Sequence, residues 1–233
     1  MPFTFNGIGT ALSGYSAPIQ WKKPSLFGPK ADHDAMECFV VLYLPIIPLR
    51  AVHAFNWQGT RYRVLPLRRT FGMILHTYLR PLGLLLTGIG IVMLALGAVG
   101  AATEGRQGAL AGIAAGAVVG LLGFATLRWL RSRDARTRDV RLVIGPHEAG
   151  SSDPALWSKE VLDKLKPAQI ADAQAALQAG RYGQAMIGAR IAAAQGDPEG
   201  ERLTDEILAH PNVQSLLPAL RREPWRRAEL LQA

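Results

Sequence analysis

The strongest constraint on this chain is a pair of uncharged apolar runs, residues 82–102 and 109–127, with only six residues between them. At 1.5 Å per residue, a helix over the first run is about 31 Å long, which matches the ~30 Å hydrocarbon core of a bilayer. Two buried helices of a soluble domain are the alternative, but a soluble helix of this length normally carries a polar stripe. The sequence therefore predicts a transmembrane helical hairpin over residues 82–127.

Small residues on the second run are spaced for close helix packing. Gly112, Gly116 and Gly120 stand four residues apart and so share one helix face, where another backbone can approach. Gly97 and Ala101 can supply a matching surface on the first run. Two uses of this face remain open: closing the hairpin on itself, or packing against a partner helix.

The basic residues lie beside the two runs rather than within them, in a chain of net charge +8. By the positive-inside rule, this placement predicts a multi-pass protein with both termini cytoplasmic. The bias toward Ala, Gly and Arg fits a bacterial chain, so the expected location is the bacterial inner membrane. Anionic lipid head groups are the expected partner, and nucleic acid is not, because no nucleic-acid-binding motif accompanies the charge. The predicted head-group contacts are Arg61, Arg63, Arg68, Arg69, Arg80, Arg128, Trp129, Arg131 and Arg133.

The N-terminal region, residues 1–69, is dense in glycine and proline, which favours turns and short strands over helices. An apolar run from 39 to 49 is too short to span a bilayer, and Pro45 and Pro48 would break a helix. It predicts a buried strand over 37–44 followed by a proline-bracketed bend. A hairpin over 51–57 and 60–67 should follow, and then an interfacial elbow helix over 70–81.

Two motifs in this region resemble a group of uncharacterised bacterial membrane proteins. Gly9-Thr10 followed by Gly14 resembles their opening turn, and the apolar strand ending Pro45-Ile-Ile-Pro-Leu-Arg50 resembles their Pro-x-x-Pro-Leu-Arg element. The sequence departs from that group at residues 36–38 and 51–53. The resemblance implies a shared small domain beside a membrane segment, with no assigned activity.

The C-terminal part should consist of a basic juxtamembrane helix and linker over 128–152, then an α-helical domain over 153–233. An extended piece is expected at 141–144, and Asp153 should cap a helix that reaches about residue 166. Helices are predicted over 168–178, 183–194, 198–209 and 211–222.

The first two of these helices resemble one tetratricopeptide hairpin, through Gly180-Arg-Tyr182 and Ala185, although stable arrays usually need about three units and a plain helical hairpin is the alternative. Tyr182, Ala185 and Arg190 are the predicted contacts for a protein partner.

No catalytic, cofactor-binding or metal-binding constellation emerges from the sequence. The five histidines are widely spaced, and neither apolar run contains a charge that would mark an ion path. Asp32, His33, Asp34 and Glu37 form the densest acidic cluster, and in a Gly/Pro-rich region they are expected to be solvated. Cys38 lies in an apolar run, so we expect a small buried side chain.

These features favour an α+β membrane protein in which a two-helix hairpin anchors a small β-rich domain and a helical domain. The expected role is a non-enzymatic scaffold or adaptor that presents the helical domain to a protein partner. The alternative is an accessory subunit of a larger membrane complex, joined through the glycine face. The identity of the partner and the choice between homo-oligomer and hetero-complex stay open.

Overall fold

The computed structural model describes residues 4–5, 8–14, 16, 18–22, 31–42, 44–58, 61–103, 106–148, 150–165 and 168–230. An antiparallel sheet forms the N-terminal part, two long helices follow it, and short helices form the C-terminal part. The predicted α+β organisation is therefore confirmed.

The sheet contains five strands in sequential order: β1 (Thr4–Phe5), β2 (Ile8–Gly14), β3 (His33–Val41), β4 (Leu44–Gln58) and β5 (Arg61–Leu67). The predicted bend at the prolines is wrong, since Pro45 and Pro48 lie within β4 and pair with Val40 and Cys38. Two register shifts between β3 and β4 accommodate the prolines. A proline has no N–H group to donate to the neighbouring strand, and an irregular pairing does not require that hydrogen bond. β4 thus begins well before the predicted strand.

The two long helices are α1 (Phe71–Thr103) and α2 (Arg106–Ile144). The predicted elbow and the first apolar run form one continuous helix with Pro81 inside it. The extended piece expected at 141–144 is instead the last turn of α2, and the helix stops before Gly145, which has a φ of 73°.

Both long helices have the length and composition to cross a membrane. Within their most apolar windows only 17% of the residues of α1 and 11% of those of α2 are buried. A core helix of a soluble protein would be mostly buried, so these two helices leave an apolar surface that the rest of the described chain does not cover.

The C-terminal part begins with a 3₁₀ turn (Pro154–Leu156) and a short α3 (Lys159–Leu162). The four main helices are α4 (Ile170–Gln178), α5 (Tyr182–Ala194), α6 (Pro198–Ala209) and α7 (Pro211–Arg222), and a second 3₁₀ turn (Pro224–Arg226) and α8 (Arg227–Leu230) follow. Asp153 caps the first 3₁₀ turn, not the long helix predicted there, because Trp157 turns back to pair with Leu67 of the sheet. α6 and α7 have the predicted bounds.

The end of α2 lies inside the helical domain. Val140, Leu142, Val143 and Ile144 are each at most 4% exposed and pack in one core with residues of α4 to α7. The predicted linker over 147–152 is likewise no loose connection, since Ser151 and Ser152 are fully buried. The helical domain is therefore built around the end of α2.

Candidate functional site

A cluster of buried polar side chains surrounds Arg141, on the last turns of α2. Arg141 is fully buried. Its Nη1 donates to Ser16 Oγ at 2.6 Å and its Nη2 donates to the Asp32 carbonyl at 2.9 Å. Its Nε donates to the Ser151 carbonyl at 3.0 Å. One guanidinium thus joins α2 to the segments before β3 and after α2.

The second part of this cluster is a carboxylate–imidazole pair on neighbouring strands. Asp34 Oδ1 lies 2.6 Å from His53 Nδ1, and both side chains are at most 1% exposed. Burial alone would raise the pKa of Asp34, but Arg141 and the hydrogen bonds from His53 and Ser16 outweigh it and lower the pKa to about 2. Because an ionised carboxylate can only accept, His53 donates its Nδ1 proton.

The expectation of a solvated acidic cluster is wrong for Asp34 and Glu37. Strand β3 begins at His33, which places Asp34 in the buried sheet interior, and Glu37 is 9% exposed and paired with Arg50. Sequence reasoning missed this because the compensating cation, Arg141, lies over a hundred residues away along the chain. Arg141 itself reads in the sequence as one more flanking charge.

The Asp34–His53 pair has the composition of a general-base pair but no room for a substrate. His53 Nε2 is buried and has no hydrogen-bond partner among the described residues. A Cβ atom at Gly150 would lie 2.8 Å from it, so the turn that contains Gly150 closes over the imidazole. The hydroxyls of Ser16 and Ser151 face Arg141 instead. This arrangement locks the sheet to α2 rather than exposing a base.

Ion pairs fix the helical domain to α2 on the outside of the same region. Arg221 pairs with Asp139 through Nε at 2.8 Å and through Nη2, and Arg136 Nη2 lies 2.7 Å from Asp205 Oδ1. Arg190 makes two hydrogen bonds of 2.8 and 2.9 Å to Asp153. Burial alone would lower the pKa of Arg190, but the contacts with Asp153 and Glu201 outweigh burial and raise the pKa. The domain is therefore joined to α2 by ion pairs as well as by its core.

An open cleft of about 690 Å³ lies where the end of α2 meets α5 and α7. Arg227 lines it, and Arg227 Nη2 donates to the carbonyls of Val143 and Ile144 at 2.8 and 3.3 Å. These carbonyls lie at the C-terminus of α2, where a cation is stabilised. Among the described residues, the cleft lining includes Arg181 and Arg227 but no acidic side chain. Burial lowers the pKa of Arg227, yet a guanidinium stays charged at neutral pH.

Of the three predicted partner contacts, the structure places only one at this cleft. Tyr182 lines it, and its hydroxyl accepts a hydrogen bond from Asn212 Nδ2 at 2.8 Å. Ala185 is fully buried in the helical core, and the Arg190 side chain is 11% exposed and paired with Asp153 and Glu201. Ala185 and Arg190 are therefore packing and ion-pairing residues, which corrects that assignment.

The predicted glycine face lies between α1 and α2. A Cβ at Gly116 would meet Leu94 N at 2.8 Å, and one at Gly97 would meet Ile113 at 2.8 Å. Gly112 and Gly120 also face α1, since a Cβ added at Gly112 would lie 3.8 Å from Gly97 Cα and one at Gly120 would lie 3.7 Å from Gly90 Cα. Ala101, in contrast, is exposed.

The α1 side of this contact has a repeat that sequence reasoning missed. Buried small residues recur every seventh position, at Gly83, Gly90 and Gly97 on α1 and at Ala109, Gly116 and Gly123 on α2. A Cβ at Gly90 would lie 2.4 Å from Gly120 Cα. A seven-residue period is typical of helices that supercoil around each other, so the spacing itself was a usable signal.

Most residues predicted to contact lipid head groups are exposed. Arg63, Arg68, Arg69, Arg80, Arg128 and Arg131 are exposed, and Trp129 is 41% exposed. The side chains of Arg61 and Arg133 lie outside the described part of the chain.

No protein-family model, no curated protein and no solved structure matches the chain. The resemblances drawn from the Pro-x-x-Pro-Leu-Arg element and from residues 180–185 therefore stay predictions. The functional argument depends on the geometry of the described residues alone. Among them, no group of three or more His, Cys, Asp or Glu side chains could hold a metal ion.

Proposed function

We propose that the protein is a non-enzymatic scaffold of the bacterial inner membrane, with both termini cytoplasmic, that presents its helical domain to a protein partner. The apolar surfaces of α1 and α2 enter the bilayer, and the exposed arginines at their ends contact anionic head groups. The sheet and the helical domain then lie together on the cytoplasmic face. The sealed Asp34–His53 pair supports a structural role over a catalytic one.

The cleft between α2, α5 and α7 carries this proposal. It is open, it is positively charged, and its walls belong to a domain that packs around the buried end of α2 and is joined to it by ion pairs. A rigid cleft loses little freedom on binding, which favours affinity. Its charge suits an acidic segment of a partner, which Arg181 can contact from the rim while Tyr182 offers an aromatic surface.

The geometry gives less support to the alternative, an accessory subunit joined through the glycine face. Gly116 and Gly120 already face α1, so a partner helix would have to displace it. The exposed faces of α1 and α2 remain available to lipid.

The test is site-specific photocrosslinking in intact cells. A photoreactive residue replaces Gln184, which lines the cleft, and a matched control replaces Glu206, which is exposed on α6 and does not line it. We expect a protein adduct from position 184 that is absent from position 206 and is lost when Arg181→Glu reverses the charge at the rim.

Two results would contradict the scaffold. One is the same adducts from both positions, which would show contact without use of the cleft. The other is an adduct from position 184 that survives Arg181→Glu, because the proposed recognition depends on the positive rim.

A further inference from the structure

The far half of the β3–β4 hairpin exposes apolar side chains on both faces. Leu42, Leu44, Ile46, Ile47 and Leu49 are 45–72% exposed. In the near half of the same strands the apolar side chains are buried in the sheet core. A sheet in water carries polar side chains on its open face, whereas no charged residue occurs from 39 to 49.

The hairpin tip lies against α1 and forms a groove with it. The Tyr78 hydroxyl donates to the Ile46 carbonyl at 2.8 Å. A groove of about 990 Å³ runs between Leu44, Pro45 and Ile46 of the tip and the α1 residues from Tyr78 to Met93. Apart from Tyr78, every described residue that lines it is apolar, glycine or proline.

The groove follows the first apolar run of the sequence. From Leu82 to Met93 it extends along α1 by about 17 Å, which is roughly half of a ~30 Å hydrocarbon core. Leu84, Leu85 and Val92, which line the groove, are 57–59% exposed, which is within the range of the tip residues. The tip therefore continues the exposed apolar surface of the helix.

The backbone edge of β4 at the tip is arranged for a medium without water. β5 pairs with β4 only from Ala51 onward, so the edge before it has no neighbouring strand among the described residues. Pro45 and Pro48 carry no N–H group, Tyr78 donates to the Ile46 carbonyl, and Arg69 Nη1 donates to the Pro48 carbonyl at 3.4 Å. Unpaired backbone groups are costly in lipid, and this edge has few.

Two arginines lie at the opposite end of the tip from Leu44, and a third follows Tyr78 on α1. Arg69 contacts Pro48, Arg50 pairs with Glu37, and Arg80 is exposed two residues after Tyr78. The order along the hairpin is thus cationic near the sheet and apolar toward the turn. Phospholipids have the same order, with a phosphate at the surface and acyl chains below it.

We propose that the tip, residues 39–42 and 44–49, enters the leaflet that borders the sheet, and that its groove with α1 holds an acyl chain of a bilayer phospholipid. The phosphate of that lipid lies near Arg69 and Arg80. This inference depends on the proposed membrane placement of α1 and α2. A second copy of the chain and a partner helix are the competing occupants.

Spin labels on the full chain in vesicles of phosphatidylcholine and phosphatidylglycerol test the depth of the tip. Cys38, which is buried, is replaced by Ala so that one introduced Cys carries the label. Leu44→Cys reports on the tip, Leu121→Cys on the exposed face of α2, and Gln214→Cys on exposed α7. We expect the labels at 44 and 121 to be accessible to oxygen, and the label at 214 to a water-soluble nickel complex.

The three labels distinguish the two possible failures. If position 121 is in lipid and position 44 is in water, the insertion of the tip is overturned and the membrane anchor stands. If position 121 is also in water, the anchor itself fails and the insertion with it. Dipolar broadening between labels at position 44 of two copies would assign the groove to a second chain and overturn the lipid.

A groove-filling pair of variants tests the occupant. Gly88 lines the groove, and neither Gly88 nor Gly100 of α1 has an atom within 4 Å of an added Cβ. In native mass spectrometry with phosphatidylglycerol, we expect Gly88→Phe to lower the bound lipid severalfold while Gly100→Phe retains it. Equal lipid in both variants would overturn the proposal.

The head-group site has its own variant. Arg69→Gln should remove the preference for phosphatidylglycerol over phosphatidylcholine. A preference that survives this change would overturn the placement of the phosphate.

Discussion

Arg141 Nη1 lies 3.7 Å from Asp34 Oδ2, so a charge at the end of α2 is neutralised inside the N-terminal sheet. Both side chains are at most 1% exposed. The contact joins two parts of the chain that the long hairpin separates in sequence. Since the end of α2 also lies in the helical core, this ion pair and its hydrogen bonds connect the sheet to the helical domain through α2.

Replacing Arg141 by Leu should therefore weaken the whole assembly. The change leaves the Asp34 carboxylate buried without its cation, and the loss of one member of a buried pair costs about 3–5 kcal/mol. Denaturant unfolding of the detergent-solubilised chain measures it. Arg131→Leu on the same helix is the matched control, because Arg131 is exposed and should change stability by only about 0.5 kcal/mol. Equal effects would refute the role of Arg141.

Asp34 also predicts the response to acid. Its pKa in the fold, about 2, lies below the 3.8 of an unfolded chain, so ionised Asp34 stabilises the fold above about pH 4 and the stabilisation is lost as the pH falls toward 2. The contribution at neutral pH is on the order of 2 kcal/mol. Asp34→Asn should be less stable at pH 7 and should show a flatter decline between pH 4 and 2. An unchanged decline would assign the acid response to other carboxylates.

The glycine contact predicts a difference between two otherwise similar changes. Gly116→Leu places a Cβ 2.8 Å from the backbone nitrogen of Leu94, so α1 and α2 must separate, and overpacking of this kind costs about 1–3 kcal/mol. Gly100→Leu meets no atom within 4 Å of its Cβ and should be neutral or slightly stabilising, because glycine is a poor helix former. Unfolding by titration with a denaturing detergent compares them. A hairpin unaffected by Gly116→Leu would exclude close packing there.

The sequence predicted the parts of this fold that depend on local pattern. Apolar length defined the two long helices, and Pro198 and Pro211, each preceded by a capping residue, defined the starts of α6 and α7. The small-residue face was found on α2 because four-residue spacing is a familiar signal. On α1 only Gly97 was found, and Gly83 and Gly90 were missed because these glycines recur at seven.

The candidate sites could not be predicted in the same way, because they depend on distant pairing. The burial of Asp34 needs Arg141, and the cleft needs Arg227 to reach the end of α2 from the far C-terminal region. The exposed tip at Leu44 reads in sequence as a buried strand, since an apolar run has the same pattern whether protein or lipid covers it.

The pair of Arg190 and Asp153 gives a prediction about the helical domain alone. Arg190→Ala leaves Asp153, which is 2% exposed, without its cation, and should destabilise the domain by a few kcal/mol. Arg202→Ala removes an arginine paired only with exposed acids of its own helix and should have little effect. Limited proteolysis of membranes that contain each variant measures the difference. We expect faster cleavage at sites after residue 153 in Arg190→Ala than in Arg202→Ala. Equal cleavage of the two variants would contradict it.

The orientation of the hairpin makes the last prediction. Arginines flank both apolar runs, while the six residues between the runs hold one arginine beside one glutamate, so the flanks should stay cytoplasmic and the connection should cross. Alkaline phosphatase, which is active only outside the inner membrane, should be inactive when fused after residue 233 and active when inserted between residues 104 and 105. Green fluorescent protein fused at the same C-terminal position, where the phosphatase is inactive, should fluoresce. An active phosphatase at residue 233 would place the helical domain outside and remove the cytoplasmic scaffold.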